Sequence, residues 1–168
     1  MREAGNYPIG SIIIDDVHAC MDKIIDQFMI KIDAETDAYK ELIALFNSSL
    51  KDYNPKNYID VVEMKDCRKK MLVPYWEWQR QQDNIYRILT KYNNSDNTSI
   101  YFGLPLIERC LETCDCIITA SAIEISPKGI DLDKISSLEE ASRRIYMSAT
   151  LADDSVFVSA LGLDTEDM

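Results

Sequence analysis

Short apolar runs alternate along the chain with longer stretches in which apolar positions recur at helical spacing. Ile12-Ile13-Ile14 puts β-branched apolar side chains on successive residues, as in a strand buried on both faces. Met21, Ile24, Ile25, Phe28, Met29 and Ile32 then recur at steps of three and one, predicting an amphipathic helix. After Asp33-Ala34-Glu35, the residues Tyr39, Leu42, Ile43, Phe46 and Leu50 predict a second helix, which Asn54-Pro55 breaks. Tyr58–Met64 fits a short strand or an irregular link. Pro74 occupies a helix N1 position, and Trp78, Ile85, Leu89 and Tyr92 share one face of the helix that follows.

The polar run 93–99 reads as an exposed loop, and Ile107, Cys110, Leu111 and Cys114 mark a fourth helix. Residues 116–126 read as a strand up to the turn at Pro127-Lys128-Gly129. Residues 143–150 read as another short strand. Asp153 or Asp154 is then expected to cap a last helix carrying Val156, Phe157, Ala160 and Leu161, stopped by Gly162.

Composition adds bounds. A chain of 168 residues, 46% apolar and 28% charged, fits one ordinary globular domain. No run approaches the roughly 18 apolar residues of a membrane span. The start, Met1-Arg2-Glu3-Ala4, lacks the plan of a secretory signal, and five cysteines, an odd number, point to a reducing compartment. The cytoplasm is the expected location. A net charge of −11 gives no general attraction for phosphate backbones. Basic residues group only at Lys65, Arg68, Lys69 and Lys70 and at Arg143-Arg144, as expected of solvated faces.

Candidate chemistry begins at Asp15, Asp16 and His18, the last being the chain's only histidine. In parallel α/β sheets, ligands bind beyond the carboxyl ends of the strands. Acidic side chains delivered there suit Mg²⁺, a hard cation that also takes substrate phosphates. The plainer alternative is that Asp15 caps the next helix and Asp16 faces water. A second apolar strand, in residues 143–151, ends in the hydroxyl residues Ser148 and Thr150.

These two stretches, in this order, resemble a known family. Ile-Ile-Ile-Asp-Asp-Val-His at 12–18 resembles motif II of the superfamily 2 helicases of the DEAD/DEAH-box group, and Tyr-Met-Ser-Ala-Thr-Leu at 146–151 resembles their motif III. The resemblance covers about 20 residues at the start and about 50 at the end. It implies an α/β fold, part of a RecA-like parallel-sheet motor domain. Residues 1–20 would carry the motif II strand, 21–114 a mainly helical insertion, and 115–168 the return to the sheet with motif III and a terminal helix. Some DNA-repair helicases of this superfamily carry an arch-like insertion in the same interval.

The function it implies is ATP hydrolysis coupled to translocation on, or unwinding of, DNA or RNA, with Mg²⁺ and ATP bound by the intact parent. Asp15 matches the aspartate that holds Mg²⁺ through water. Asp16 stands where the family usually has glutamate, the general base that orients the attacking water, and shares the nucleotide site with Asp15. His18 matches the last residue of the DEAH form, linking that site to motif III. Ser148, Ala149 and Thr150 match the motif that couples hydrolysis to nucleic-acid binding.

Two departures shape the expectation. Gly5 to Ser11 has the spacing of a phosphate-binding loop but no lysine, and no second motor domain follows. The chain therefore reads as a helicase segment inactive by itself. Motifs II and III also lie about 130 residues apart, which loop-closure entropy tolerates because it grows only logarithmically. The rival class is a free-standing acidic α/β interaction module without catalysis.

Two further clusters lie outside these stretches. Cys110, Cys114 and Cys116, with Cys67 or Cys20, lack the paired spacing of zinc sites, and Cys110 and Cys114 read as core. Tyr75, Trp76 and Trp78, near Arg80 and Arg87, could stack on unpaired bases, but packing within the insertion is the expectation.

Overall fold

A computed structural model of the chain describes residues 10–129 and 134–147. Its first elements are β1 (Ser11–Ile14), α1 (Val17–Phe28), β2 (Ile30–Asp33), α2 (Asp37–Tyr53) and α3 (Pro55–Tyr58). They are followed by β3 (Lys70–Leu72), α4 (Tyr75–Arg80), α5 (Gln82–Lys91) and α6 (Thr98–Ile107). The last are β4 (Asp115–Thr119), β5 (Ala122–Ser126), α7 (Ser136–Glu139) and β6 (Arg143–Tyr146). The chain divides into two compact units, residues 1–26 with 129–168 and residues 27–128.

In the first unit β1 and β6 run parallel, with Ser11 opposite Arg143 and Ile14 opposite Tyr146. Buried Val17 and Leu138 form a small core with Ile12, Ile14, Ile24, Ile135 and Tyr146. The expected burial of β1 on both faces is not met, because Ile13 is 63% exposed. Parallel sheets ordinarily cover both faces, and two strands alone cannot. The unit is mixed α/β with a two-stranded parallel sheet, and the described residues do not form a RecA-like sheet.

The second unit holds a four-stranded antiparallel sheet in the order β2-β5-β4-β3. It corrects four readings. The apolar repeat ending at Ile32 is not one helix, since α1 stops at Phe28 and Ile30 and Ile32 are the inward residues of β2. A short apolar run satisfies both periods, and pairing with β5 decides it. Residues 116–126 are two strands, joined where Thr119 Oγ1 accepts from Ala122 N at 2.9 Å and also bonds the Ala122 carbonyl. Those strands pair with β2 and β3, so residues 115–126 do not return to the sheet of β1 but complete a sheet with two short strands of the mainly helical stretch 21–114. Tyr58–Met64 is helical, α3 running into a π turn over Ile59–Glu63.

Helix boundaries follow local chemistry. Thr36 caps α2, its hydroxyl accepting from Tyr39 N at 3.3 Å. Asn54 ends α2 by donating to Leu50 O and starts α3 by accepting from Asn57 N. Pro74 is the N-cap of α4 rather than its N1 residue, and the expected long helix breaks at Gln81. The core of the unit is Leu42, Phe46, Leu50, Trp78, Ile85 and Leu89 from the helices, and Ile30, Ile118, Ile123 and Ile125 from the sheet. Trp78 stacks on Phe46 at 6.1 Å and donates from Nε1 to Leu111 O at 2.7 Å. Helix α6 packs on β2, where Ser99 Oγ accepts from Lys31 N at 2.7 Å.

Two stability outcomes follow. A Cβ on Gly103 would lie 2.6 Å from Ile30 Cγ1, a branched, fully buried side chain that has no room to move. Gly103→Ala should therefore cost about 1–3 kcal/mol through overpacking, outweighing the roughly 0.5–1 kcal/mol that alanine adds to a helix. A raised urea midpoint for this variant would contradict the close contact.

Glu77 is buried, bonded by Arg80 at 2.6 Å and by Gln81 at 3.2 Å. Burial pushes its carboxyl up, but the Arg80, Gln81 and Ser49 hydrogen bonds together outweigh burial and hold it below the ordinary 4.5. Its contribution is thus complete above the unfolded value and lost as pH falls through the lower folded one. Glu77→Gln should cost about 1–3 kcal/mol near neutral pH and progressively less at pH values below the ordinary carboxylate range, read from urea midpoints across pH.

Candidate functional site

The apolar strand β1 delivers Asp15 and Asp16 at its carboxyl end, and both are exposed. Asp15 Oδ1 accepts from Asp16 N at 3.0 Å, and the Asp15 carbonyl accepts from Cys20 Sγ at 3.5 Å. Asp16 has φ 48°, the left-handed region in which aspartate is among the better-tolerated residues. That single reversal turns the strand into α1, whose first turn closes by Cys20 N donating to Asp16 O. Asp15 is therefore not an ordinary helix cap, because its carboxylate serves the neighbouring amide.

Strand β6 reaches the same end. Met147 N donates to Ile14 O at 2.9 Å, and Val17 N donates to Met147 O at 3.1 Å. The two apolar strands that carry the motif-like stretches are thus parallel neighbours, tied beyond their ends by backbone hydrogen bonds. His18 is exposed on the first turn of α1. Ser148, Ala149, Thr150 and the expected final helix lie outside the described residues.

Two exposed carboxylates at a strand end fit Mg²⁺, which takes few protein ligands and keeps several waters. Among the described residues, no group of three or more His, Cys, Asp or Glu side chains converges on a metal position. The described end of the Gly5–Ser11 stretch does not fit a nucleotide phosphate cradle. A phosphate loop joins a strand to a helix N-terminus, whereas Gly10-Ser11 leads into β1, with Gly10 O accepting from Arg143 N.

The cysteine cluster reads as core. Cys114 and Cys116 are buried, and Cys114 Sγ donates to Cys110 O at 3.4 Å. Burial, with Cys110 beside it, pushes the Cys114 thiol up to about 12, and burial raises that of Cys116 as well. Neutral thiols are poor metal ligands.

The aromatic stretch divides. Trp78 packs as expected, but Tyr75 and Trp76 are exposed, and Trp76 stands against both Tyr75 and Tyr53, the latter a residue that the sequence pattern does not single out. The spacing held a signal: residues two apart on a helix point to opposite sides, so Trp76 and Trp78 could not both face the core.

Comparisons of the chain with protein-family models, with curated proteins and with solved structures return no match.

The left-handed backbone at Asp16 gives a test independent of chemistry. Asp16→Asn should be nearly neutral in stability, and Asp16→Ala should lose about 1 kcal/mol in a residue that resists this conformation. Denaturation midpoints of the two variants decide it: an alanine variant as stable as the asparagine one would mean the turn adopts another conformation.

Proposed function

We propose that the chain is a segment of an ATP-dependent superfamily 2 helicase, inactive by itself, in which Asp15 and Asp16 stand at the nucleotide. The observation that carries this reading is the parallel pairing of β1 with β6 across about 130 intervening residues. Its acidic pair sits at the end where α/β sheets bind ligands. The exposed face of Ile13 adds support, since it is the kind of surface the crossover helices of a larger parallel sheet would cover.

In this reading Asp15 holds Mg²⁺ through water, and Mg²⁺ when bound neutralises charge on the phosphates. Asp16 orients water and accepts its proton. The left-handed turn gives a reason for aspartate there, since that conformation suits aspartate better than the longer glutamate. His18 would link the pair to Ser148, Ala149 and Thr150, and the partner would be DNA or RNA reached through the intact enzyme in the cytoplasm. The second reading, an acidic interaction module, draws on Asp15 Oδ1 being used within its own turn.

The test uses the protein encoded by the whole open reading frame. Asp16→Asn should lower ATP turnover about 10²- to 10⁴-fold, the usual cost of losing a general base, or roughly 3–5 kcal/mol of barrier. Nucleotide affinity should barely change. Asp15→Asn should weaken its Mg²⁺-dependent part, and His18→Ala should loosen stimulation by nucleic acid while sparing basal turnover. The 168-residue chain alone should bind ATP·Mg²⁺ negligibly by calorimetry. Undiminished turnover by Asp16→Asn removes the base assignment, and an open frame without a Gly-Lys-Thr loop favours the module.

A further inference from the structure

The two tryptophans of the second unit have opposite environments. Trp78 is 1% exposed with its indole N–H satisfied, whereas Trp76 is 51% exposed. Trp76 meets Tyr53 at a centroid distance of 5.4 Å and Tyr75 at 5.2 Å, with interplanar angles of 77° and 83°. Both tyrosines are exposed as well. A perpendicular contact consumes at most one face of one ring. Two such contacts among three rings therefore leave at least four of the six faces unused by the cluster. A contiguous aromatic surface left in water marks an interaction site more often than isolated exposed residues do.

Charge identifies what it suits. The chain is strongly acidic, yet residues 51–80 carry seven basic and five acidic side chains. Lys51, Arg68 and Arg80 are paired with Glu63, Asp66 and Glu77. Lys56, Lys65, Lys69 and Lys70 are exposed and, among the described residues, hold no carboxylate. Asn57 Nδ2 donates to Lys70 O at 3.0 Å and fastens α3 to β3. This brings Lys56 and Lys70 to one junction, where α2 ends in Tyr53 and β3 leads to Tyr75.

We propose that Tyr53, Tyr75 and Trp76 form a stacking platform for unpaired bases of a single-stranded nucleic acid, with Lys56, Lys69 and Lys70 meeting its phosphates. Aromatic faces accept any base, and cations alongside track the backbone. Lysine is depleted at protein interfaces, so an aromatic patch flanked by unpaired lysines fits a polyanion better than a protein. A duplex keeps its bases stacked internally and offers the rings nothing. Tyr101 and Phe102 make a similar exposed pair at 5.1 Å, but residues 93–112 carry one basic and three acidic side chains and lack the charge. The platform is independent of Asp15 and Asp16, and its success or failure leaves the nucleotide reading untouched.

Fluorescence anisotropy of a labelled oligo-dT of about 15 nucleotides with the full chain, at about 50 mM salt, tests it. Saturable binding that weakens as salt rises is expected, and oligo-U should bind alike because stacking does not use the 2′-hydroxyl. Trp76→Ala should raise Kd tenfold or more, and Trp76→Phe should keep most of the affinity. Lys69→Ala with Lys70→Ala should flatten the salt dependence. Phe102→Ala should change nothing. Far-ultraviolet dichroism confirms that each variant is folded. Absence of saturation up to roughly 100 μM, or unchanged affinity in Trp76→Ala, overturns the proposal. So does self-association by sedimentation that Trp76→Ala abolishes without any oligonucleotide binding, which would make the patch a contact between copies of the chain.

Discussion

The pairing of Ile30 with Ile125 governs how so long a segment can interrupt a parallel strand pair. These two residues lie near the ends of the second unit, and their register holds them about 5 Å apart, one strand spacing. The chain therefore leaves and re-enters that unit at neighbouring points. An unfolded loop of this length would burden β1 and β6 with the full closure entropy, which rises by about 0.6 kcal/mol per doubling. A folded insertion with its ends pinned shortens the effective loop several-fold and returns on the order of 1 kcal/mol. For a two-stranded sheet with a core of two buried side chains, that difference matters.

What was legible in the sequence depended on how local the determining force was. Helix α2 and its end at Asn54-Pro55 are local chemistry, and they appear where the pattern puts them; the cap at Thr36, although equally local, emerges only in the structure. The parallel neighbours β1 and β6 were legible through the motif-like stretches at their ends. Ile32 was misassigned because a few apolar residues fit either period, and only distant β5 selects the strand. The β4–β5 connection escaped because it contains no glycine, proline or asparagine. The Thr119 side chain, bonding across Ala120-Ser121, does the work those residues usually perform. Burial of Ile13 was the least legible, since one strand's pattern says nothing of how many partners cover it.

At Asp16 backbone and chemistry meet in one residue. Its φ turns β1 into α1, and its carboxylate is the one proposed above as the general base. Few residue types meet the conformational demand well: glycine, asparagine and aspartate. Only aspartate among them also brings a negative charge. Asp15, by contrast, has its carboxylate held by Asp16's own amide within the same turn.

The hydrogen bond from Lys31 N to Ser99 Oγ reaches further than the packing of α6. Strand β2 is one edge of the four-stranded sheet, and an outward amide is what a foreign strand would seize. The serine occupies it. At the other edge β3 is three residues long and follows Arg68-Lys69, so an arriving strand meets few pairing sites and concentrated positive charge. Each border of the sheet is thereby a poorer template for growth, a hindrance to amyloid-like stacking of one copy on the next.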